Sequence, residues 1–368
     1  MSASAPYHDP EPFHVEAQGL CLDFYPSGPD RLERLLLMID EAQSSLKLAF
    51  YIFARDITAR MVRDRLVDAA ARGVRVTVIV DGFGAEADET FFAPLVEAGG
   101  KYHRFQARWS RRYLVRNHQK MVIADGEVAM LGGFNIEDGY FDLPAESSWN
   151  DLAMTVRGDV VGRIEAWFAE LEAWMGISKR QFRAIRKSVR EWDSGIGPVQ
   201  LLIGGPTKGF SSWARSVGQD LIYGQKLDMM MAYFAPPRRL RRRIRNIARK
   251  GETRLVLAGK TDNGATLGAA RLLYRGLLKA RAQIFEFQPC KLHTKLIVLD
   301  DAVYLGSANF DMRSLYLNLE IVLRIEDRAL ADRMRSFIAQ HLDASQAITP
   351  EMHRRSATWF NRLRWMAS

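Results

Sequence analysis

The sequence predicts an α/β protein built as two similar α/β/α halves, with mixed, largely parallel sheets, packed about a pseudo-twofold axis. Three observations predict it. A strand, helix, strand order occurs twice, two His-x-Lys motifs stand 175 residues apart, and Tyr51 and Tyr233 head matching positions 182 residues apart. Two near-equal spacings of that size point to an internal duplication of about half the chain.

In the first copy, residues 46–53 (LKLAFYIF) read as a buried strand, 57–72 (ITARMVRDRLVDAAAR) as an amphipathic helix stopped by Gly73, and 74–80 (VRVTVIV) as a second strand. Strand, helix, strand implies a parallel crossover, because parallel neighbours need a long return connection. The order recurs with a strand at 227–234, a helix at 238–249 closed by Gly251, and a strand at 253–258. Between the copies, 178–194 (SKRQFRAIRKSVREWDS) is strongly basic and leads into the turn GIGP. The expected divisions are a flexible N-terminal segment at 1–19, an N-terminal half at 20–195 with the basic linker at 178–194, a C-terminal half at 196–345, and a basic amphipathic segment at 346–368.

With 368 residues and 48% apolar composition, the chain can bury a sizeable core. Its 52 Lys and Arg against 43 Asp and Glu leave a net charge of +9, which favours a phosphate-bearing partner. Cys21 and Cys290 are too few for a disulfide framework or a thiolate metal site, which suits a reducing compartment. No apolar run reaches the roughly 18 residues of a membrane span, and residues 1–19 lack the basic start and apolar run of a signal peptide. The expectation is a cytoplasmic protein free to bind a membrane from the side.

The repeated motifs carry the chemistry. His118, Lys120 and Asp125 match His293, Lys295 and Asp300, each as His-x-Lys, four residues, Asp; Gly132, Gly133 and Asn135 then match Gly306, Ser307 and Asn309. In an extended segment each histidine and its lysine project to the same side. The Asp125-Gly126 turn folds the chain back, so that Asn135 returns near His118. If the halves converge, two imidazoles, two ammonium groups and two amides share one pocket. That inventory fits a phosphodiester: lysines and amides meet the non-bridging oxygens, one histidine attacks phosphorus, and the other protonates the leaving alkoxide. No metal and no cofactor is called for, since the lysines supply the positive charge. Turn chemistry alone accounts for Asp125 and Asp300, which therefore rank below the other motif members.

These residues resemble the phospholipase D superfamily, defined by paired H-x-K-x4-D motifs followed by G-[GS]-x-N, over roughly residues 20–325. Within it, "YIFARD", the Gly-Gly-Phe-Asn element and "LGSANFDMRS" look like bacterial cardiolipin synthases without transmembrane helices. The resemblance implies transfer of a phosphatidyl group from one phosphatidylglycerol to another through a phosphohistidine. It also implies a carboxylate behind each histidine, at Asp151 and Glu320, and leaves open which acid serves which. By analogy His118 is the nucleophile and His293 the general acid. Lys120, Asn135, Gly133, Lys295, Ser307 and Asn309 are expected to bind the phosphate.

Two alternatives stay open: hydrolysis of phospholipids to phosphatidic acid, and an endonuclease related to the same superfamily. The stripe Phe182, Ile185, Val189 and Trp192 amid arginines, with Trp359, Phe360, Leu363 and Trp365 near the C-terminus, suits an anionic bilayer and favours lipid over nucleic acid. The arginines at 238–245 are read as a solvated face. Both motifs lie in one chain, so no oligomer is required for chemistry.

Overall fold

The computed structural model describes residues 7–106, 115–177, 181–262 and 264–353. The N-terminal half runs β1 (Phe13–Ala17), β2 (Leu20–Tyr25), α1 (Gly28–Glu41), β3 (Ser45–Phe50), α2 (Ile57–Ala71), β4 (Arg75–Asp81), α3 (Ala93–Glu97), β5 (Lys101–Phe105), β6 (Met121–Ala124), β7 (Val128–Gly132), β8 (Trp149–Asn150), β9 (Ala153–Arg157) and α4 (Val160–Met175). Helix α5 (Gln181–Glu191) leads to the C-terminal half: β10 (Val199–Gly204), α6 (Ser212–Tyr223), β11 (Lys226–Met231), β12 (Phe234–Ala235), α7 (Arg238–Lys250), β13 (Glu252–Ala258), α8 (Gly264–Leu278), β14 (Gln283–Phe287), β15 (Lys291–Leu292), β16 (Lys295–Leu299), β17 (Ala302–Gly306), β18 (Phe310–Asp311), α9 (Met312–Tyr316), β19 (Glu320–Glu326), α10 (Arg328–Gln340) and β20 (Ser345–Ala347).

Among the described residues these strands form two mixed sheets of eight, ordered β1-β2-β9-β7-β6-β3-β4-β5 and β10-β19-β17-β16-β11-β13-β14-β20. Parallel pairing is confined within them to β3-β4-β5 and β11-β13-β14, the crossover units legible in the sequence. The remaining ladders of both sheets are antiparallel, among them the short hairpins of β6 with β7 and β16 with β17. Side chains alternate across each sheet and so face two different cores. Leu46, Leu48 and Phe50 of β3 pack outward on α1 and α2, and Leu227, Met229 and Met231 of β11 pack outward on α6, α7 and α8. The opposite faces, with Met121 and Ile123 of β6 and Leu296 and Val298 of β16, share one core with α4, α5 and α10. That shared core locks the halves together and fixes where their strand ends meet.

Local signals explain the helix limits. Asp56 caps α2 by accepting from the Ala59 N–H at 2.9 Å, and the chain leaves the helix through Gly73 at φ +92°. Asp327 caps α10 in the same way.

The structure revises three expectations. Residues 7–17 of the presumed flexible segment are tied down: Tyr7 packs edge-on against Phe287, and β1 pairs with β2 while Phe13 stacks on Phe24. The α5 stripe faces the protein, with Ile185 and Val189 buried and the Trp192 Nε1 donating to the Leu201 carbonyl at 2.9 Å. Burying each such side chain contributes roughly 1.5–3 kcal/mol, so α5 does not peel off to enter a bilayer. The aromatic stripe at 359–365 lies outside the described residues.

The third revision concerns Asp125 and Asp300, placed in the sequence among the catalytic groups. Both occupy the left-handed region, at φ +55° and +50°, in the turns that end β6 and β16. The Asp125 carboxylate accepts from the N–H groups of Gln43 (2.9 Å), Ser44 (2.7 Å) and Ser45 (2.9 Å), and Asp300 accepts from Gln225 (3.0 Å) and Lys226 (2.8 Å). Each aspartate clamps its hairpin to the start of β3 or β11, roughly 16 Å of strand away from its lysine. Asp125→Ala should therefore lower stability by about 1–3 kcal/mol in urea unfolding while turnover per folded molecule stays unchanged. Lost turnover at full stability would return Asp125 to the chemistry.

Candidate active site

The site forms where the two halves exchange backbone hydrogen bonds. The His118 N–H donates to the Leu319 carbonyl at 3.0 Å, and Leu319 N–H donates to the Arg116 carbonyl at 2.8 Å. On the other side the His293 N–H donates to the Asn150 carbonyl at 2.7 Å, where β15 pairs in parallel with β8. Each motif histidine is thus pinned to the residue immediately before the other half's acid, Glu320 or Asp151.

That register fixes the pairing the sequence left open. His118 Nδ1 lies 3.0 Å from the Glu320 carboxylate, and His293 Nδ1 lies 2.6 Å from Asp151. Both acids are buried, and each histidine takes its carboxylate from the opposite half. An Nδ1–H donated to a carboxylate leaves the Nε2 lone pair directed into the site and supports charge on the ring when it forms.

The lysines stand beside the imidazoles. Lys120 Nζ donates to the His118 carbonyl at 2.6 Å, and Lys295 Nζ donates to the His293 carbonyl and lies 2.8 Å from His293 Nδ1. Burial pushes all four groups toward their neutral forms. It lowers His118, helped by both lysines against Glu320, and it lowers Lys120 well below the usual lysine range. Burial and the Lys295 ammonium together push His293 down to about 3, and burial pushes Lys295 down to about 8. Burial alone would raise Asp151, but Lys295 and His293 outweigh it and hold the carboxyl below its ordinary value.

The Gly-x-x-Asn elements are not equivalent. Ser307 Oγ donates to Glu320 at 2.5 Å, joined by Ser314 at 2.7 Å, so the carboxylate behind His118 is held by two hydroxyls. Gly133, at the matching place, has no room for a hydroxyl: a Cβ there would lie 2.7 Å from the Asp151 carboxylate and 2.9 Å from the Lys295 side chain. Asn135 Oδ1 accepts from the Ile52 N–H at 3.1 Å and its Nδ2 donates to Tyr140 at 3.0 Å, whereas the buried Asn309 Oδ1 has no partner among the described residues. Gly132 and Gly306 admit close backbone approach, Gly306 lying against the Ile321 carbonyl.

Several functional side chains escaped the sequence reading. Tyr140, in the connection between β7 and β8, places its hydroxyl 3.4 Å from His293 Nε2 and stacks on Trp149. Arg31, buried inside α1, donates at 2.6 Å both to the Tyr140 carbonyl and to the Asp151 carbonyl, fixing the two relative to each other. The middle residues of the motifs also bridge the halves: Gln119 donates to the Glu320 carbonyl at 3.2 Å, and Thr294 to the Asn150 side chain at 3.3 Å. Tyr51 and Tyr233, matched by the repeat, lie beside His118 and His293 with ring centroids at 4.9 and 6.4 Å. Among the described residues no three His, Cys, Asp or Glu side chains gather as a metal-binding group.

Two imidazole-carboxylate pairs crossed between repeated α/β halves, each with an ammonium group beside it, mark an enzyme of the phospholipase D type, a phosphatidyltransferase. Residues 35–172 and 224–342 match the family described as cardiolipin synthase, PLD-like domain, and the chain belongs to that family. Cardiolipin synthase A of Pseudomonas putida (strain W619) is 28% identical over 333 residues, 88% of this chain and 69% of that protein. The major cardiolipin synthase ClsA of Bacillus subtilis (strain 168) is 29% identical over 352 residues, 92% of this chain and 72% of that protein. Among solved structures, phosphatidylserine synthase of Haemophilus influenzae Rd KW20 shares the fold with a TM-score of 0.72 at 12% identity, over 97% of this chain and 95% of that one.

Two outcomes follow from the geometry. Gly133→Ala should displace the Asp151 carboxylate and cut kcat by about a hundredfold with the fold intact by circular dichroism, because small misplacements at a reacting centre carry losses of that order. Lys295 is charged below about pH 8 and neutral above it, so kcat/KM should fall as pH rises through that value. Lys295→Arg should abolish that limb, since guanidinium stays charged to about pH 12; an unchanged limb would assign the titration to another group.

Proposed function

We propose that this chain makes cardiolipin from two molecules of phosphatidylglycerol through a phosphatidyl-histidine intermediate. His118 Nε2 attacks the phosphorus of the first lipid, the bond from phosphorus to the head-group glycerol oxygen breaks, and His293 gives that oxygen a proton, releasing glycerol. The hydroxyl of a second phosphatidylglycerol then passes its proton to His293 while its oxygen attacks phosphorus, and the bond to His118 Nε2 breaks. Lys120 and Lys295 hold the non-bridging oxygens throughout. Burial, joined by the Lys295 ammonium, keeps His293 neutral, and a bound phosphate anion offsets the ammonium part and favours the protonated ring.

The crossed pairing of His118 with Glu320 and His293 with Asp151 carries this reading: it yields two oriented imidazoles in one enclosed site, as a two-step displacement requires. The division of roles has its own support. Tyr140 already occupies His293 Nε2, whereas no hydrogen bond engages His118 Nε2 among the described residues, leaving the latter lone pair free to attack. Burial of the imidazoles and lysines keeps water scarce around the intermediate and favours an alcohol acceptor over hydrolysis.

The same reading places the protein peripherally on the inner face of the cell membrane. No described helix is long and apolar enough to cross a bilayer. Ile57 at the start of α2 and Phe83 and Leu143 in loops are each more than two-thirds exposed, with the Arg116 guanidinium 3.7 Å over the Phe83 ring. Apolar tips beside a guanidinium suit the headgroup level of an anionic bilayer.

Incubation with phosphatidylglycerol vesicles and mass spectrometry should show cardiolipin plus glycerol, unchanged by EDTA. Phosphatidic acid instead would assign a hydrolase, and cleaved DNA with unaltered lipid a nuclease. Denaturation during turnover of phosphate-labelled lipid should leave an acid-labile label on His118; a label on His293 would reverse the roles.

A further inference from the structure

The face of the C-terminal half formed by α7 and α8, over the outer core of that half, carries an unusual concentration of positive charge. Neither helix contains an acidic residue, and α7 alone carries seven arginines and Lys250. Leu240, Ile244 and Ile247 of α7 face the core, as amphipathic spacing requires. On its α8-facing flank Arg241 and Arg245 are half-buried, and Arg238 is exposed at the rim. Arg238, Arg241 and Arg245, at i, i+3 and i+7, share one stripe of the helix and line a cavity of about 250 Å³ closed on its other side by Leu272, Leu273, Gly276 and Leu277 of α8. The Nε atoms of Arg241 and Arg245 are buried there without a hydrogen-bond partner, and no carboxylate among the described residues pairs with any of the three arginines. Gly276 presents only backbone to this side of the cavity, beside the Arg245 guanidinium.

Three guanidinium groups converging without counter-charge call for an anion with several oxygens, and a phosphodiester fits their forked donors. The apolar wall chooses between a soluble phosphate and a lipid. Leu272 is 81% exposed at the rim and Leu273 lines the wall, a cost in water that acyl carbons would relieve. The cavity falls below the roughly 300–1,000 Å³ of sites that enclose a drug-sized ligand, so it accommodates a head group whose chains remain in the membrane.

We propose that the cavity between α7 and α8 is a second anionic-phospholipid site, in which Arg238, Arg241 and Arg245 hold the phosphodiester of a membrane lipid and Leu272 and Leu273 meet its first acyl carbons. It shares no residue with the catalytic centre and holds the enzyme to membranes rich in its own anionic substrate. This rests on the lipid reading of the active site, and the test separates the two.

Flotation of the full chain with phosphatidylcholine vesicles, with and without phosphatidylglycerol, measures binding apart from turnover. Arg241→Glu/Arg245→Glu should weaken binding to phosphatidylglycerol vesicles by about tenfold or more, while Arg75→Glu/Arg157→Glu, with the same charge change at exposed positions of the N-terminal half, should leave it nearly unaltered. Turnover of a short-chain, water-soluble phosphatidylglycerol should persist in both variants. Equal losses in the two pairs would reduce the effect to net charge and overturn the site, as would wild-type binding by the α7 pair. Displacement from vesicles by millimolar glycerol phosphate would make the ligand a soluble phosphate and overturn the lipid assignment. If the glutamate pair melts early, Arg241→Gln/Arg245→Gln carries the same expectation. Wild-type protein that binds vesicles through Arg241 and Arg245 yet converts no lipid would refute the proposed reaction and leave this site standing.

Discussion

The backbone bond from each motif histidine to the residue before the opposite acid is the constraint on which the active site depends. Leu319 and Asn150 accept from His118 and His293, and that contact sets the register that brings Glu320 and Asp151 to their imidazoles. Gln119, Thr294 and the short β8-β15 pairing reinforce the same seam. The shared core under it, from Trp167 to Phe337, makes the seam a rigid feature of one folded unit. Burial of paired ionisable groups is costly unless geometry compensates. Here the compensation comes from carboxylates held by Ser307, Ser314 and the histidines themselves.

The duplication is a symmetry of the fold more than of the chemistry. Both halves supply a histidine, a lysine, an asparagine and a carboxylate, yet Gly133 gives way to Asp151 where Ser307 grips Glu320. Tyr140 touches His293, while Ser314, at the matching distance beyond its asparagine, bonds Glu320 instead. Two imidazoles in nearly the same surroundings would share one function. These differences separate them, one ring capped by a phenol and the other with an open lone pair.

The repeat made much of this legible in the sequence. A single His-x-Lys carries little information, but two in register, each followed by a Gly-x-x-Asn element, located the site and the crossover units β3-α2-β4 and β11-α7-β13. What stayed hidden depended on contacts between distant segments. Arg31 has no motif of its own and acquires meaning only because α1 packs under Tyr140 and Asp151. Helix α5 displays the same stripe whether it meets a bilayer or Trp167, and only the packed core decides. Asp125 and Asp300 sit inside the motif spacing yet serve the hairpins, since a positive φ and three or two waiting N–H groups outweigh proximity in sequence.

The crossing of acids between halves has a consequence for how the protein matures. A half emerging alone owns an imidazole whose carboxylate partner has not yet docked, so its ring is neither oriented nor supported against charge. Each imidazole therefore gains its carboxylate only when both halves have folded and docked, so the two pairs are assembled together or not at all.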